Sequence, residues 1–134
     1  MAGQEPGFVP YFTYDDAKTA MAFLESAFGF ETLASYTGED GRIMHGEMRF
    51  GRSVMMLGSG EPGERARQIE AGTAGPGVYC VVDNVDRHYD RAKAAGARIV
   101  YPPEDTEFGT RRYRTHDSEG YEWSFGTYVP GTPG

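Results

Sequence analysis

Along this chain the hydrophobic positions change their spacing in a fixed order, and the whole order occurs twice. Residues 9–14 are a largely apolar and aromatic run closed by an acidic turn, which predicts a strand. Asp15 and Asp16 follow, and a short carboxylate there can accept from the free amides of a first helical turn. Over residues 17–28 the spacing becomes helical, with Ala20, Phe23, Leu24, Ala27 and Phe28 on one stripe and Gly29 as the stop. Residues 30–36 read as a strand, and Gly38-Glu39-Asp40-Gly41 as a turn. Residues 43–50 and 53–57 form a hairpin across Gly51-Arg52, a two-residue loop of the Gly-X kind. The second copy brings a strand over 78–82, a cap at Asp83 and Asn84, and a helix over 85–95 ended by Gly96. A short strand over 98–101 is closed by Pro102-Pro103, and a loop occupies 104–110. The last hairpin, 111–116 with 121–128, turns through Asp117-Ser118-Glu119-Gly120.

When the copies are superposed, Val9 falls on Gly77, Tyr11 on Tyr79 and Met56 on Ser124. Each copy reads β-α-β-β-β, and strands with two-sided patterns plus one helix pack as sheet and helix. The expected fold class is α+β: two βαβββ modules in tandem forming a curled mixed sheet around a cleft. The modules span 8–58 and 77–128 of a single domain, 1–134. Between them the polar, glycine-rich stretch 59–76 is a linker with helical character around 66–70. Its length suits an exposed connector or a segment crossing a groove.

The two-residue hairpin loop decides which side chains share a face. Phe50 should face Ser53, Arg49 Val54, Met48 Met55 and Glu47 Met56. One face then holds Met44, Met48, Phe50, Met55 and Leu57 and packs on the helix. The other holds His45, Glu47, Arg49, Val54 and Met56, a mixed surface of the kind that lines ligand clefts. Carried to the second copy, His45 falls on Tyr113, Glu47 on Thr115 and Met56 on Ser124. The expected cleft face therefore also includes Tyr11, Thr13, Tyr79, Val81, Tyr113, Thr115, Glu122 and Ser124. Val78, Cys80, Val82, Trp123 and Phe125 go to the core, with Cys80 as a small hydrophobe. His88, on a helix, and His116, beside a turn, are expected to be solvated.

Composition narrows what such a cleft serves. Hydrophobic content of 39% and charged content of 25% suit one folded core. No apolar run approaches the ~20 residues of a membrane span. A net charge of −7 excludes a nucleic-acid partner, which needs a basic face, and disfavours anionic ligands at long range. One cysteine, Cys80, rules out an internal disulfide. The opening MAGQEPG lacks a basic segment followed by an apolar one, so no secretory signal is expected and the cytosol is the expected compartment. Nine Tyr and eight Phe are plentiful, and Tyr, with an apolar body and a polar tip, suits a wet binding surface.

Three segments resemble one known family: AMAFLESAFGFE after the first strand, VDNVDRHYDRAKAAGARIV in the second copy, and the closing DSEGYEWSFGTY, which is similar to a D-P-x-G-x-x-x-E ending. They resemble the vicinal oxygen chelate superfamily, which includes glyoxalase I, extradiol dioxygenases, fosfomycin resistance proteins and bleomycin-binding proteins. The resemblance implies four metal-ligand positions: His or Gln on the first strand and Glu on the last strand of copy one, with His and Glu at the matching places of copy two. Here those positions are Val9, Met56, Gly77 and Ser124. Val, Met and Gly offer no hard side-chain donor, and one hydroxyl cannot hold a divalent ion. His45 and Glu47, two apart on one strand face, supply only half a site. No metal and no other cofactor is expected.

Catalytic machinery is equally thin. No third group orients a Ser124–His45 pair, no strained nucleophile turn is present, and the glycines form no phosphate loop. The expected function is that of a metal-independent, bleomycin-resistance-type protein sequestering an antibiotic or another aromatic or polycyclic natural product. The resemblance implies a homodimer with clefts lined by both subunits. Tyr11, Tyr79, Tyr113 and Phe108 would stack on the ligand, and Thr13, His45, Glu47, Arg49, Met56, Thr115, Glu122 and Ser124 would complete the surface. The alternative is a glyoxalase- or dioxygenase-like enzyme with an atypical metal site, or one using Glu47 and His45 as acid and base.

Overall fold

A computed structural model describes residues 7–131; the opening MAGQEP lies outside them. Module one consists of β1 (Tyr11–Tyr14), α1 (Ala17–Phe23) widening into a π-helical turn (Leu24–Phe28), β2 (Glu31–Thr37), β3 (Ile43–Phe50) and β4 (Ser53–Ser59). The linker carries α2 (Glu64–Glu70). Module two consists of β5 (Val78–Val81), α3 (Val85–Ala94), β6 (Arg98–Asp105), β7 (Arg111–His116) and β8 (Glu122–Gly126). The strands form two four-stranded mixed sheets of equivalent order, β1-β4-β3-β2 and β5-β8-β7-β6. In each, the first strand runs parallel to the last and the remaining pairs are antiparallel. This is the α+β, two-module architecture that the repeat predicts.

Helix boundaries follow local chemistry. The Asp16 carboxylate accepts from the Thr19 amide at 3.0 Å and the Thr19 hydroxyl at 2.8 Å, which caps α1 and holds its own pKa below the usual carboxylate value. Ala17, Ala20, Met21, Leu24, Ala27 and Phe28 are all buried, one continuous stripe through both the α and the π segment. Gly29, with φ +83°, ends the helix in the left-handed conformation that glycine adopts without penalty. Side chains from the other module cover that end: His88 Nε2 donates to the Phe28 carbonyl at 2.8 Å, and Arg91 donates to the Ser26 and Glu25 carbonyls at 3.0 Å. α3 has its own cap, Asn84 Oδ1, which accepts from the Arg87 amide at 3.0 Å.

Several strand expectations need correction. β1 begins at Tyr11, two residues later than the apolar run suggests. β6 does not close at Pro102-Pro103 but continues to Asp105. It can do so because it is an edge strand, and its register with β7 shifts between Tyr101 and Glu104, so the prolines are not asked to donate into the ladder. Met44 leaves the core face entirely and is 70% exposed. Tyr36 pairs with His45 and Thr37 with Ile43, so Met44 is an unpaired extra residue, and Ile43 takes the buried place.

One aromatic core joins the modules. Phe12 lies 5.3 Å from Trp123 and 4.7 Å from Tyr121, ring centre to ring centre. Phe28 meets Phe125 at 4.9 Å and Phe30 meets Trp123 at 5.3 Å. Polar ties run beside these rings: Tyr14 donates to Asp117 at 2.6 Å and Tyr121 to the Thr13 carbonyl at 2.6 Å. The modules are therefore joined through their helix-bearing faces. Among the described residues no hydrogen bond or ring contact links the open face of one sheet to that of the other.

Candidate functional site

On module one, the expected hairpin register holds: Glu47 pairs with Met56, Arg49 with Val54 and Phe50 with Ser53. His45, Glu47, Arg49, Val54 and Met56 share the open face with Tyr11 and Thr13 from β1, whose partners are Met56 and Gly58. His45 Nε2 and Glu47 Oε2 are 2.9 Å apart, and both side chains are half-exposed. Tyr36, from β2, stacks on His45 with ring centres 6.1 Å apart and planes 29° apart. Arg49 is spent on an ion pair with Glu31. Tyr11 is 61% exposed, a ring with no cover of its own.

Module two departs from the expected lining. Tyr113 and Thr115 are fully buried and do not reach the open face. β7 pairs Tyr113 with Phe125 and Thr115 with Trp123, both core residues. The cause is turn length: Glu47↔Met56 in module one corresponds to Arg114↔Ser124 in module two, so the equivalence slips by one residue across the longer second turn. A one-residue slip moves every side chain to the opposite face. The open face of module two accordingly carries Arg112, Arg114 and His116 beside Glu122 and Ser124. The Asp117 amide donates to the Tyr121 carbonyl at 2.9 Å, so the turn proper is Ser118-Glu119-Gly120, one residue longer than Gly51-Arg52, whereas a four-residue turn over 117–120 would have left the faces unchanged.

Arg112 and Arg114 both lie over the ring of Tyr101, at 5.7 and 5.4 Å from its centre. Arg114 Nε donates to Ser124 Oγ at 3.2 Å and lies 3.9 Å from Glu122 Oε1. Arg112 donates to Glu104 at 3.4 Å. Tyr79 faces the same side but is tied down, its hydroxyl donating to the Tyr128 carbonyl at 2.7 Å. Phe108 sits at the tip of the β6–β7 loop, 81% exposed, on a turn fixed by Thr106, whose hydroxyl accepts from the Phe108 and Thr110 amides.

His88, behind these faces, and His116, on the second of them, are not solvated as expected. His88 packs between Phe28 and Phe125, and its Nε2 must carry the proton that it donates to Phe28. Nδ1 is then left to accept from Tyr113 Oη at 2.6 Å. Burial lowers the pKa of His88 and raises that of Tyr113. His116 is half-buried against Arg98, at 3.3 Å, and burial first and that arginine second lower its pKa. Cys80 is packed against the core, and burial pushes its thiol up to about 12, so it stays protonated and unreactive.

The four positions at which the resemblance implies metal ligands do not fit a metal. Tyr11, two residues beyond Val9, pairs with Met56, and Tyr79, two residues beyond Gly77, pairs with Ser124. Among the described residues no group of three His, Cys, Asp or Glu side chains converges. Ser124 Oγ is already engaged by Arg114.

The chain thus consists of two tandem βαβββ modules, each presenting an open sheet face with aromatic and polar side chains. The chain belongs to the glyoxalase/bleomycin resistance protein/dioxygenase superfamily, whose description it matches over residues 10–125. It is similar to TioX from Micromonospora sp. ML1, with 32% identity, a TM-score of 0.74 and coverage of 92% of this chain and 99% of that one. An uncharacterized protein of Mycobacterium tuberculosis is 31% identical over 129 residues, covering 93% of this chain and 76% of that protein. A glyoxalase-related enzyme from Fulvimarina pelagi shares the fold at a TM-score of 0.67 and 17% identity, covering 96% and 91%. No described helix is long and apolar enough to cross a membrane.

Proposed function

We propose that this protein is a metal-independent sequestering protein that holds an aromatic natural product, such as an antibiotic, in the cytosol. One observation carries the reading. The open faces display exposed rings with polar groups set among them, while all four family ligand positions bear side chains unable to hold a divalent ion. The faces also point away from the shared core, so one chain supplies two half-clefts. A two-fold homodimer that sets module one of one copy against module two of the other would complete both.

The test is to strip the protein with EDTA, titrate it with a panel of planar antibiotics and aromatic natural products, follow tyrosine fluorescence, and recover the compound for mass spectrometry. Sedimentation velocity reports the assembly. A dimer that binds without metal and returns the compound intact supports the reading. Binding that needs added Mn, Fe, Ni or Zn, or a chemically altered compound, overturns it. A second reading has its own observation, the 2.9 Å His45–Glu47 contact, which would hold the imidazole in one tautomer for proton transfer. Glu47→Ala would then abolish turnover, not merely weaken binding.

A further inference from the structure

We infer that the ligand carries a planar anionic oxygen pair, a carboxylate on an aromatic ring, and that Arg114 grips it. The inference rests on the reading of the open faces as the ligand surface and adds the chemistry of one end of the ligand. Arg114 spends only Nε on the protein, at 3.2 Å from Ser124 Oγ. Neither of its Nη groups makes a hydrogen bond among the described residues, and its side chain is 40% exposed. A guanidinium with one edge fixed and the other free is set to bind a carboxylate through two parallel N–H···O bonds.

Its surroundings favour an arene as the carrier of that carboxylate. Both guanidiniums lie over the Tyr101 ring, and Tyr79 and Val81 extend the apolar bed on the same face. Competing acids are weakly placed. Glu122 stands 3.9 Å from Arg114 Nε, beyond hydrogen-bond reach, and Glu104 is committed to Arg112. The overall charge of −7 does not oppose this at contact distance, since the field of remote charges is screened beyond about 8 Å at physiological salt. The opposite polarity on module one, where Glu47 bonds His45, leaves Arg114 as the natural end for an anion.

The experiment compares 2-naphthoate with its neutral analogue 2-naphthamide at pH 7 by calorimetry or fluorescence, on the wild-type protein and on Arg114→Leu. The wild type should prefer naphthoate by about tenfold or more, the value of a charge-assisted pair of bonds. Arg114→Leu should lower naphthoate affinity to about that of naphthamide and so erase the preference, while an unchanged circular dichroism spectrum and urea midpoint show that the variant is folded. Equal affinity of the wild type for both compounds, or a preference that survives in Arg114→Leu, overturns the assignment of Arg114 and leaves sequestration standing. Failure of every arene to bind overturns both.

Discussion

Removing the Asp117 carboxylate should loosen the seam between the modules more than any other single polar change. Asp117 is buried, and its two oxygens accept four hydrogen bonds. Oδ2 takes the Tyr14 hydroxyl at 2.6 Å and Trp123 Nε1 at 3.0 Å; Oδ1 takes the Glu119 and Tyr121 amides at 3.0 and 3.1 Å. Tyr14 belongs to module one and the other three donors to module two. In Asp117→Ala, two buried side-chain donors lose their acceptor at about 1–3 kcal/mol each, and the backbone amides of the turn lose theirs as well. A total loss of about 3–5 kcal/mol follows, the usual cost of breaking a buried charged contact. For a chain of this size that is a fall in Tm of roughly 10–20 °C. Tyr14→Phe removes one donor and leaves the carboxylate with three, so its cost is about 1–2 kcal/mol. Asp117→Asn falls between them, because an amide NH2 must face donors on one side or the other. Urea unfolding monitored by Trp123 fluorescence and by circular dichroism would rank the three. A loss below 1 kcal/mol in Asp117→Ala, or Tyr14→Phe costing as much as Asp117→Ala, would refute the argument.

His88 makes the fold acid-sensitive. Its folded pKa lies below the unfolded value of about 6.5, so its contribution is present above that pH and is lost as pH falls toward the folded pKa. Stability measured by urea unfolding should therefore drop between pH 7 and pH 5, and His88→Gln should flatten that slope; a parallel slope in the variant sinks the idea. Arg65 straps the linker to the second hairpin turn. It donates to the Glu119 and Ala74 carbonyls at 3.0 and 2.9 Å, and its guanidinium lies 3.4 Å over Tyr121. Arg65→Ala should cost about 3 kcal/mol and open the 59–76 stretch to limited proteolysis, whereas unchanged cleavage would show that the strap is dispensable. Phe108→Ala should leave unfolding free energy within about 0.5 kcal/mol while weakening ligand binding, since the ring touches little of its own chain. Full affinity in that variant would remove Phe108 from the site.

How much of this was legible depended on whether a signal was local. The α1 cap, its stripe and the Gly29 stop are written within one short segment, residues 16–29, and β3–β4 pairing follows from a two-residue loop, so Glu47 and Met56 could be placed opposite each other from sequence alone. Tyr113 and Thr115 went astray because their face was borrowed from module one across a turn of different length. Alternation in β7 could not correct this, since Arg111, Arg112, Tyr113 and Arg114 do not alternate cleanly between apolar and polar. Met44 was lost to a bulge, which no pattern of two announces. His88 is invisible to helical periodicity because what buries it is the other module: Phe28 and its carbonyl lie sixty positions away in the chain.

At the four implied metal positions this chain has Val9, Met56, Gly77 and Ser124, and its second open face carries Arg112 and Arg114. At Gly77 a β-carbon would lie 2.8 Å from Glu122 Oε1 and 3.3 Å from the Glu122 carbonyl, so a side chain there would displace the end of the Glu122 side chain and crowd its backbone. Gly126 is held to glycine in the same way: a β-carbon there would be 2.7 Å from the Tyr79 hydroxyl, and the tyrosine could no longer lie across β8. A metal cation would have supplied a fixed positive charge for vicinal oxygens. Arg114, with its two free Nη groups, supplies a positive charge on the same face, next to Ser124 at the fourth ligand position. On the proposed reading, hydrogen bonds from Arg114 take the role that coordination bonds would have at the four implied ligand positions.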